Sequence, residues 1–187
     1  MVLIMLITAF LCLLSTINAY PNGAPVGACD TMMPNHSVVA QSDASPYTIS
    51  VEPMSYSNGT TVTVNLTSSS REFKGYLLQM RRMDNQAIIA GFSISMDGKL
   101  VECDSESNAA VTHINNTNKM SANFTWTAPA QSEGSLQAVA TVVENTTTFW
   151  TMVKSPTITF TGSSSTTTTA GCVLGILVAV VMTVLIL

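Results

Sequence analysis

Charge is scarce in this chain: 10% of its 187 residues are Asp, Glu, Lys or Arg, 7 basic against 11 acidic, for a net charge of −4. The only adjacent basic pair is Arg81-Arg82, so nothing neutralises a run of phosphates and nucleic-acid binding is excluded. Histidine is scarcer still, with His36 and His113 alone. A nucleophilic triad needs an imidazole base or its equivalent. His36 sits in a loop inside a glycosylation sequon, and His113 lies in a strand pattern where a structural role fits better. Gly-x-Ser-x-Gly, phosphate-loop and His-Glu-x-x-His motifs are all missing. The expectation is a chain that is not an enzyme, with no catalytic residues, no metal site and no cofactor. Glu102, Asp104 and Glu106 straddle Cys103 and read as solvated loop charge rather than a calcium site.

Cysteine is also rare, and there is no Cys-x-x-Cys. Of four cysteines, Cys12 lies in an N-terminal apolar block and Cys172 in a C-terminal one, leaving Cys29 and Cys103 between them. An even pair in an oxidising compartment reads as one disulfide. The partners are 74 residues apart, a loop whose closure contributes about 4 kcal/mol in the chain-entropy model.

The compartment follows from the two ends. Val2 to Leu14 is an apolar core, Ser15 to Ala19 is a more polar exit, and Ala19 is a small residue, so residues 1–19 are expected to be a signal peptide. At the other end, Gly171 to Leu187 is apolar with no Lys or Arg after it. The 16 residues from Cys172 cover roughly 24 Å as a helix, short of a hydrocarbon core about 30 Å thick. Small residues at Gly162, Ser163 and Ser164, an uncharged spacer and this tail describe a glycosylphosphatidylinositol (GPI) attachment signal, with the lipid placed on one of those three residues. A single transmembrane helix is the alternative, since 11 Val, Leu and Ile residues contribute on the order of −3 to −6 kcal/mol to insertion. The expected destination is the outer face of the plasma membrane, GPI-anchored. The division is then 1–19 signal peptide, 20–160 ectodomain, 161–170 Ser/Thr-rich stalk and 171–187 hydrophobic tail.

What is abundant agrees. Six sequons, at Asn35, Asn58, Asn65, Asn115, Asn123 and Asn145, are candidate N-glycosylation sites, and Asn65 and Asn123 fall in strand patterns, so they must point outward if used. Tyr47 to Val51, Thr61 to Leu66 and Ser121 to Trp126 alternate apolar and polar residues, the pattern of strands with one face buried. Gly75 to Met80, Ala87 to Ile94 and Leu136 to Val143 are longer apolar runs expected as central strands, and Phe149 to Val153 and Thr157 to Phe160 complete the series. Turns are expected at Ser57-Asn58-Gly59, Met83-Asp84-Asn85, Asp97-Gly98 and Ser132-Glu133-Gly134. No segment reads as a helix. About eight short strands around one disulfide point to an all-β, immunoglobulin-like antiparallel sandwich, with Trp126 and Trp150 in its core.

Several segments, in order, carry a resemblance: Tyr20-Pro21-Asn22-Gly23-Ala24-Pro25 leading to Cys29, Met33-Pro34-Asn35-His36, Phe73 to Arg81, Ala110-Val111-Thr112-His113, Trp126-Thr127-Ala128-Pro129, and Ala140 to Glu144 with Phe149-Trp150. As a set they resemble the reeler (reelin N-terminal) domain over about Tyr20 to Phe160, and they resemble the reeler domains of ferric-chelate reductase 1-like proteins and insect secreted defence proteins more than those of reelin or the spondins. The resemblance implies an immunoglobulin-like sandwich, a Cys29–Cys103 bridge and a binding module without catalysis. This chain departs from the reductase-like relatives in lacking a haem-binding domain and a multi-helix cytochrome region. It departs again at Ser37, where the family often has Gly and where Ser creates a sequon. The expected function is recognition of an extracellular ligand, with a microbial surface glycolipid first. Host-cell or matrix adhesion is the alternative, and a role as accessory to a membrane ferric reductase the third. No ligand-contacting residue can be named from sequence.

Overall fold

In the computed structural model the described residues are 20–162 except 94, 95 and 97. The signal-peptide, Ser163, Ser164 and hydrophobic-tail expectations therefore lie outside the described residues. The strands are β1 (Tyr47–Glu52), β2 (Ser55–Tyr56), β3 (Thr61–Ser68), β4 (Gly75–Arg82), β5 (Phe92–Ser93), β6 (Gly98–Cys103), β7 (Glu106–His113), β8 (Ser121–Thr127), β9 (Leu136–Asn145), β10 (Thr148–Lys154) and β11 (Thr159–Phe160). One sheet has the order β1-β3-β8-β5 and the other β10-β9-β4-β7-β6, both antiparallel, and β2 pairs with β11 in a small parallel ribbon.

Strict alternation places the four-stranded sheet. In β1, β3 and β8 every second residue is buried, so Ile49, Val64 and Phe124 face inward while Thr48, Thr63 and Thr125 face water. Register locks this pattern: Val62 pairs with Trp126 and Val64 with Phe124, and a slip of one residue would turn the whole apolar set outward. Trp126 and Trp150 are both buried in the core between the sheets, as the sequence led one to expect. Around them, Tyr47 meets Trp150 edge-on at 5.4 Å and Tyr56 meets Trp126 at 6.0 Å, contacts worth about 0.5–1.5 kcal/mol each beyond their burial.

The five-stranded sheet differs, because its central strand is buried on both faces. From Gly75 to Arg81 every residue of β4 is buried. Tyr76, Leu78 and Met80 face the inter-sheet core, and Leu77 faces a second apolar cluster with Ala28, Cys29, Met32, Val101, Ala110 and Val139. A sheet with two apolar faces needs two covers. The second cover is the N-terminal segment, 20–40, which runs across the outer face and contains only a short 3-10 helix at Val26–Ala28. The Cys29–Cys103 bridge ties this cover to the end of β6.

The run Ala87 to Ile94, expected as a central strand, departs from that expectation. Among its described residues only Phe92–Ser93 forms a strand, at the edge of the four-stranded sheet, and Ile88 makes a single bridge to Arg81. Gly91 explains the break: with φ of 141° it lies where a Cβ would come within 2.3 Å of Thr127 O, so the chain crosses between sheets there instead of extending. The Asp104-Ser105 turn joining β6 and β7 has both residues at positive φ, 51° and 68°, the backbone of a tight hairpin.

The double variant Cys29→Ala/Cys103→Ala is expected to lose about 4 kcal/mol of unfolding free energy, since it releases the long loop. Urea denaturation measures this; a loss under about 1 kcal/mol would mean that the cover is held without the bridge.

Candidate functional site

Where the N-terminal cover stops short of the sheet it leaves a cavity of about 280 Å³. The floor is Lys74 and the start of β4, Gly75 to Leu77, with Thr141, Val143 and Asn145 of β9, and the roof is Tyr20, Pro21, Ala24, Pro25, Met32, Met33 and Pro34. The prolines matter for the roof, because each fixes φ and removes an N–H that would otherwise need a partner over an apolar space. Among the described residues no Asp or Glu lines the cavity.

Two networks hold the roof in place. At one end the guanidinium of Arg81, 7% exposed, donates from Nη2 to the carbonyls of Cys29 at 2.6 Å and Asp30 at 3.1 Å, and from Nε to Gln79 Oε1 at 2.8 Å. Gln79 Nε2 in turn donates to the same Cys29 carbonyl at 3.1 Å. Burial pulls the Arg81 pKa down, and the Asp30 and Asp104 carboxylates oppose that pull. The backbone oxygens supply what a carboxylate would, so the buried cation is hydrogen-bonded rather than stranded.

At the other end stands His113, 8% exposed. With the ring proton on Nε2, that nitrogen donates to Tyr20 O at 3.1 Å while Nδ1 accepts the Tyr76 N–H at 3.1 Å. Tyr76 O is taken by Thr112 Oγ1–H at 2.6 Å, and Thr112 Oγ1 accepts the N–H of Ala24 at 2.9 Å. Strand and roof are thus stitched through one imidazole and one hydroxyl. Gly75 makes room for the ring: a Cβ there would sit 2.9 Å from His113 Cε1. Gly23, with φ of 111°, lets the roof pass 2.6 Å from His113 O, measured from where its Cβ would be. Burial lowers the His113 pKa first; its hydrogen bonds to backbone oppose this, and the charges of Lys119 and Lys99 add to it. His36, half-buried on the cavity wall and edge-on to Phe149 at 5.4 Å, is lowered by burial alone.

The sequons divide into groups. Asn35 and Asn145 line the cavity, and Asn116, beside Asn115, does too. In two of them the side chain is preset in the same turn: Asn115 Oδ1 accepts from Thr117 N at 3.1 Å and Thr117 Oγ1 at 2.6 Å, and Asn145 Oδ1 accepts from Thr147 N and Oγ1, both at 2.9 Å. Asn58 is exposed on the turn before β3. Asn65 and Asn123 face away from the core, as required, and are direct register partners on the outer face of the four-stranded sheet. Glu102, Asp104 and Glu106 are exposed at the β6–β7 hairpin.

Sequence reasoning did not find the cavity. Its signal was present in β4, where Leu77, Gln79 and Arg81 fall on one face of an otherwise apolar strand: polar side chains in a doubly buried strand require a partner segment above them.

The Reeler domain family profile matches residues 27–166. This chain belongs to the Reeler domain family. It is 34% identical over 155 residues to a Danio rerio protein named as ferric-chelate reductase 1, covering 81% of this chain and 27% of that protein. It is also 34% identical over 156 residues to a protein of Antheraea mylitta named as defense protein 3, covering 82% of this chain and 94% of that protein. The match to the first is thus confined to about a quarter of its length, and the match to the second spans nearly all of it. Among solved structures, the human F-spondin reeler domain superposes with a TM-score of 0.54 at 16% identity, covering 70% of this chain and 98% of that one, which establishes the fold alone.

Because the folded-state pKa of His113 is depressed, its neutral form is the one the fold favours, and the stability it confers is present above the unfolded value of about 6.5 and lost as pH falls below it. Unfolding free energy should drop between pH 7 and pH 5, with most of the slope abolished in His113→Asn and the remainder due to His36. A slope unchanged in that variant contradicts the role given to His113.

Proposed function

We propose that this Reeler domain is a non-catalytic recognition module acting outside the cell, and that its ligand is a component of microbial surfaces. The observation that carries this reading is the apolar cavity roofed by 20–36, a concave site of the kind that holds small ligands or parts of larger ones. Its chemistry is that of binding. Both ring nitrogens of His113 are committed to backbone partners, so it has no free nitrogen with which to act as a general base. The defence-named relative from Antheraea mylitta, matched over 94% of its length, supports the microbial direction. The reductase name of the Danio rerio relative belongs to a protein of which this chain spans 27%, and redox chemistry is not carried over from it.

In this proposal residues 1–19 are removed as a signal peptide, a lipid anchor is attached at Gly162, Ser163 or Ser164, and N-glycans occupy sequons on the domain surface. The domain would then stand on the outer face of the plasma membrane.

Ectodomain 20–162, compared for binding to Gram-negative bacteria, lipopolysaccharide and host cells before and after enzymatic removal of N-glycans, tests the function. Saturable microbial binding that survives deglycosylation is expected. Binding to host cells or matrix alone would overturn the microbial reading in favour of adhesion.

A further inference from the structure

The charge around the cavity is uneven in a way that its apolar lining does not explain. The chain has 7 cationic side chains and a net charge of −4. Three of the seven nevertheless gather at this end of the fold. Lys74 lines the cavity. Lys99 lies against the roof, its Cε 2.6 Å from where a Cβ on Gly23 would stand, and its strand position pairs with Thr112. Lys119 is held by the carbonyls of Lys74, Asn115 and Thr117 at 3.3, 3.1 and 2.8 Å. The charges of Lys99 and Lys119 are both felt at His113 on the cavity wall.

Glu72 and Glu144 line a neighbouring depression with Lys74, and each is engaged by another side chain. Glu144 Oε1 accepts from Arg71 Nη2 at 3.2 Å, and Glu72 Oε2 accepts from Asn118 Nδ2 at 2.6 Å. His36, which lines the cavity, also carries a solvent-shielded Nδ1 with no hydrogen-bond partner among the described residues. Apolar walls with a cationic margin and an unsatisfied nitrogen match a molecule that is hydrocarbon at one end and acidic at the other.

We propose that the cavity is an acyl-chain site for a single-chain anionic amphiphile, the chain lying between Val143 and the Pro25–Met32 roof and the acidic head resting at Lys74. At about 280 Å³ the space is at the lower limit of small-molecule sites, roughly 300–1,000 Å³, a size suited to one chain of an amphiphile. The shared chemistry, an acyl chain with a carboxylate or phosphate head, occurs in free fatty acids, in lysophospholipids and in the lipid portion of bacterial glycolipids. The inference rests on the recognition role proposed above but adds a named site, so the two can fail separately.

The test is fluorescence titration of ectodomain 20–162 with 11-(dansylamino)undecanoic acid, followed by displacement with dodecanoate, dodecanol, dodecyltrimethylammonium, lysophosphatidylglycerol and lipid A. A solved reeler domain standing alone and the two cores contained within 20–160 support use of the ectodomain. Saturable binding displaced by dodecanoate, about fivefold to tenfold weaker for dodecanol and for Lys74→Glu, is the expected result. Displacement by lipid A or by lysophosphatidylglycerol tells which source the site accepts. Val143→Phe and Ala24→Phe, each checked for an unchanged melting profile and far-UV spectrum, should abolish binding by filling the space. Undiminished binding in whichever of these variants folds overturns the site. Equal displacement by the cationic amphiphile overturns the lysine margin. Absence of probe binding in an ectodomain that still binds bacteria overturns the acyl-chain site and leaves the recognition role standing.

Discussion

A β-strand buried on both faces is the constraint from which the rest of this structure follows. β4 carries Tyr76, Leu78 and Met80 into the core between the sheets and Leu77, Gln79 and Arg81 to the opposite side. The second side can stay dry only if another piece of chain lies over it, and the piece available is irregular: 20–40 has no sheet ladder in which to pair its peptide groups. The protein supplies those partners from side chains. Arg81 and Gln79 take the carbonyls near Cys29, Thr112 takes the N–H of Ala24, Thr141 donates to Met32 O, and His113 takes the carbonyl of Tyr20.

This arrangement links stability to the site. The same groups that secure the cover define the cavity beneath it, and the disulfide fixes the cover at its middle, Cys29, to the end of β6 at Cys103. Polar groups on an outer sheet face are usually solvated, whereas here they are buried and fully partnered, which raises the penalty for losing any one of them to about 1–3 kcal/mol. A ligand entering the cavity meets a surface preorganised by these bonds, with little ordering left to be done at binding.

The sandwich was legible in the sequence because its signals are local. Period-two alternation in Tyr47 to Val51, Thr61 to Leu66 and Ser121 to Trp126 marks strands with one wet face, and two cysteines in a secretory context mark a bridge. The resemblance carried by the Phe73 to Arg81 and Ala110 to His113 segments pointed to the same family that the comparisons establish. The run from Ala87 to Ile94 misled, since an apolar run with a glycine in it is compatible both with a strand and with a crossing between sheets, and only Gly91's contact with Thr127 decides. The cavity was not legible, because it depends on where a segment without periodicity comes to rest. The tie from His113 to the roof was not legible either, because its partner Tyr20 is 93 residues away and no spacing rule reaches that far.

The claim on which this account turns is that 20–36 is a fixed roof and not a loose leader. Native-state hydrogen exchange, resolved to single amides, addresses it directly. Ala24, Cys29 and Met32, whose N–H groups are bonded to Thr112 Oγ1, Val26 O and Ala28 O, are predicted to exchange far more slowly than a free chain while the disulfide is intact, and to accelerate on its reduction before the strands of the inner core do. Exchange at free-chain rates in the oxidised protein would contradict the account, and with it the cavity as a formed site.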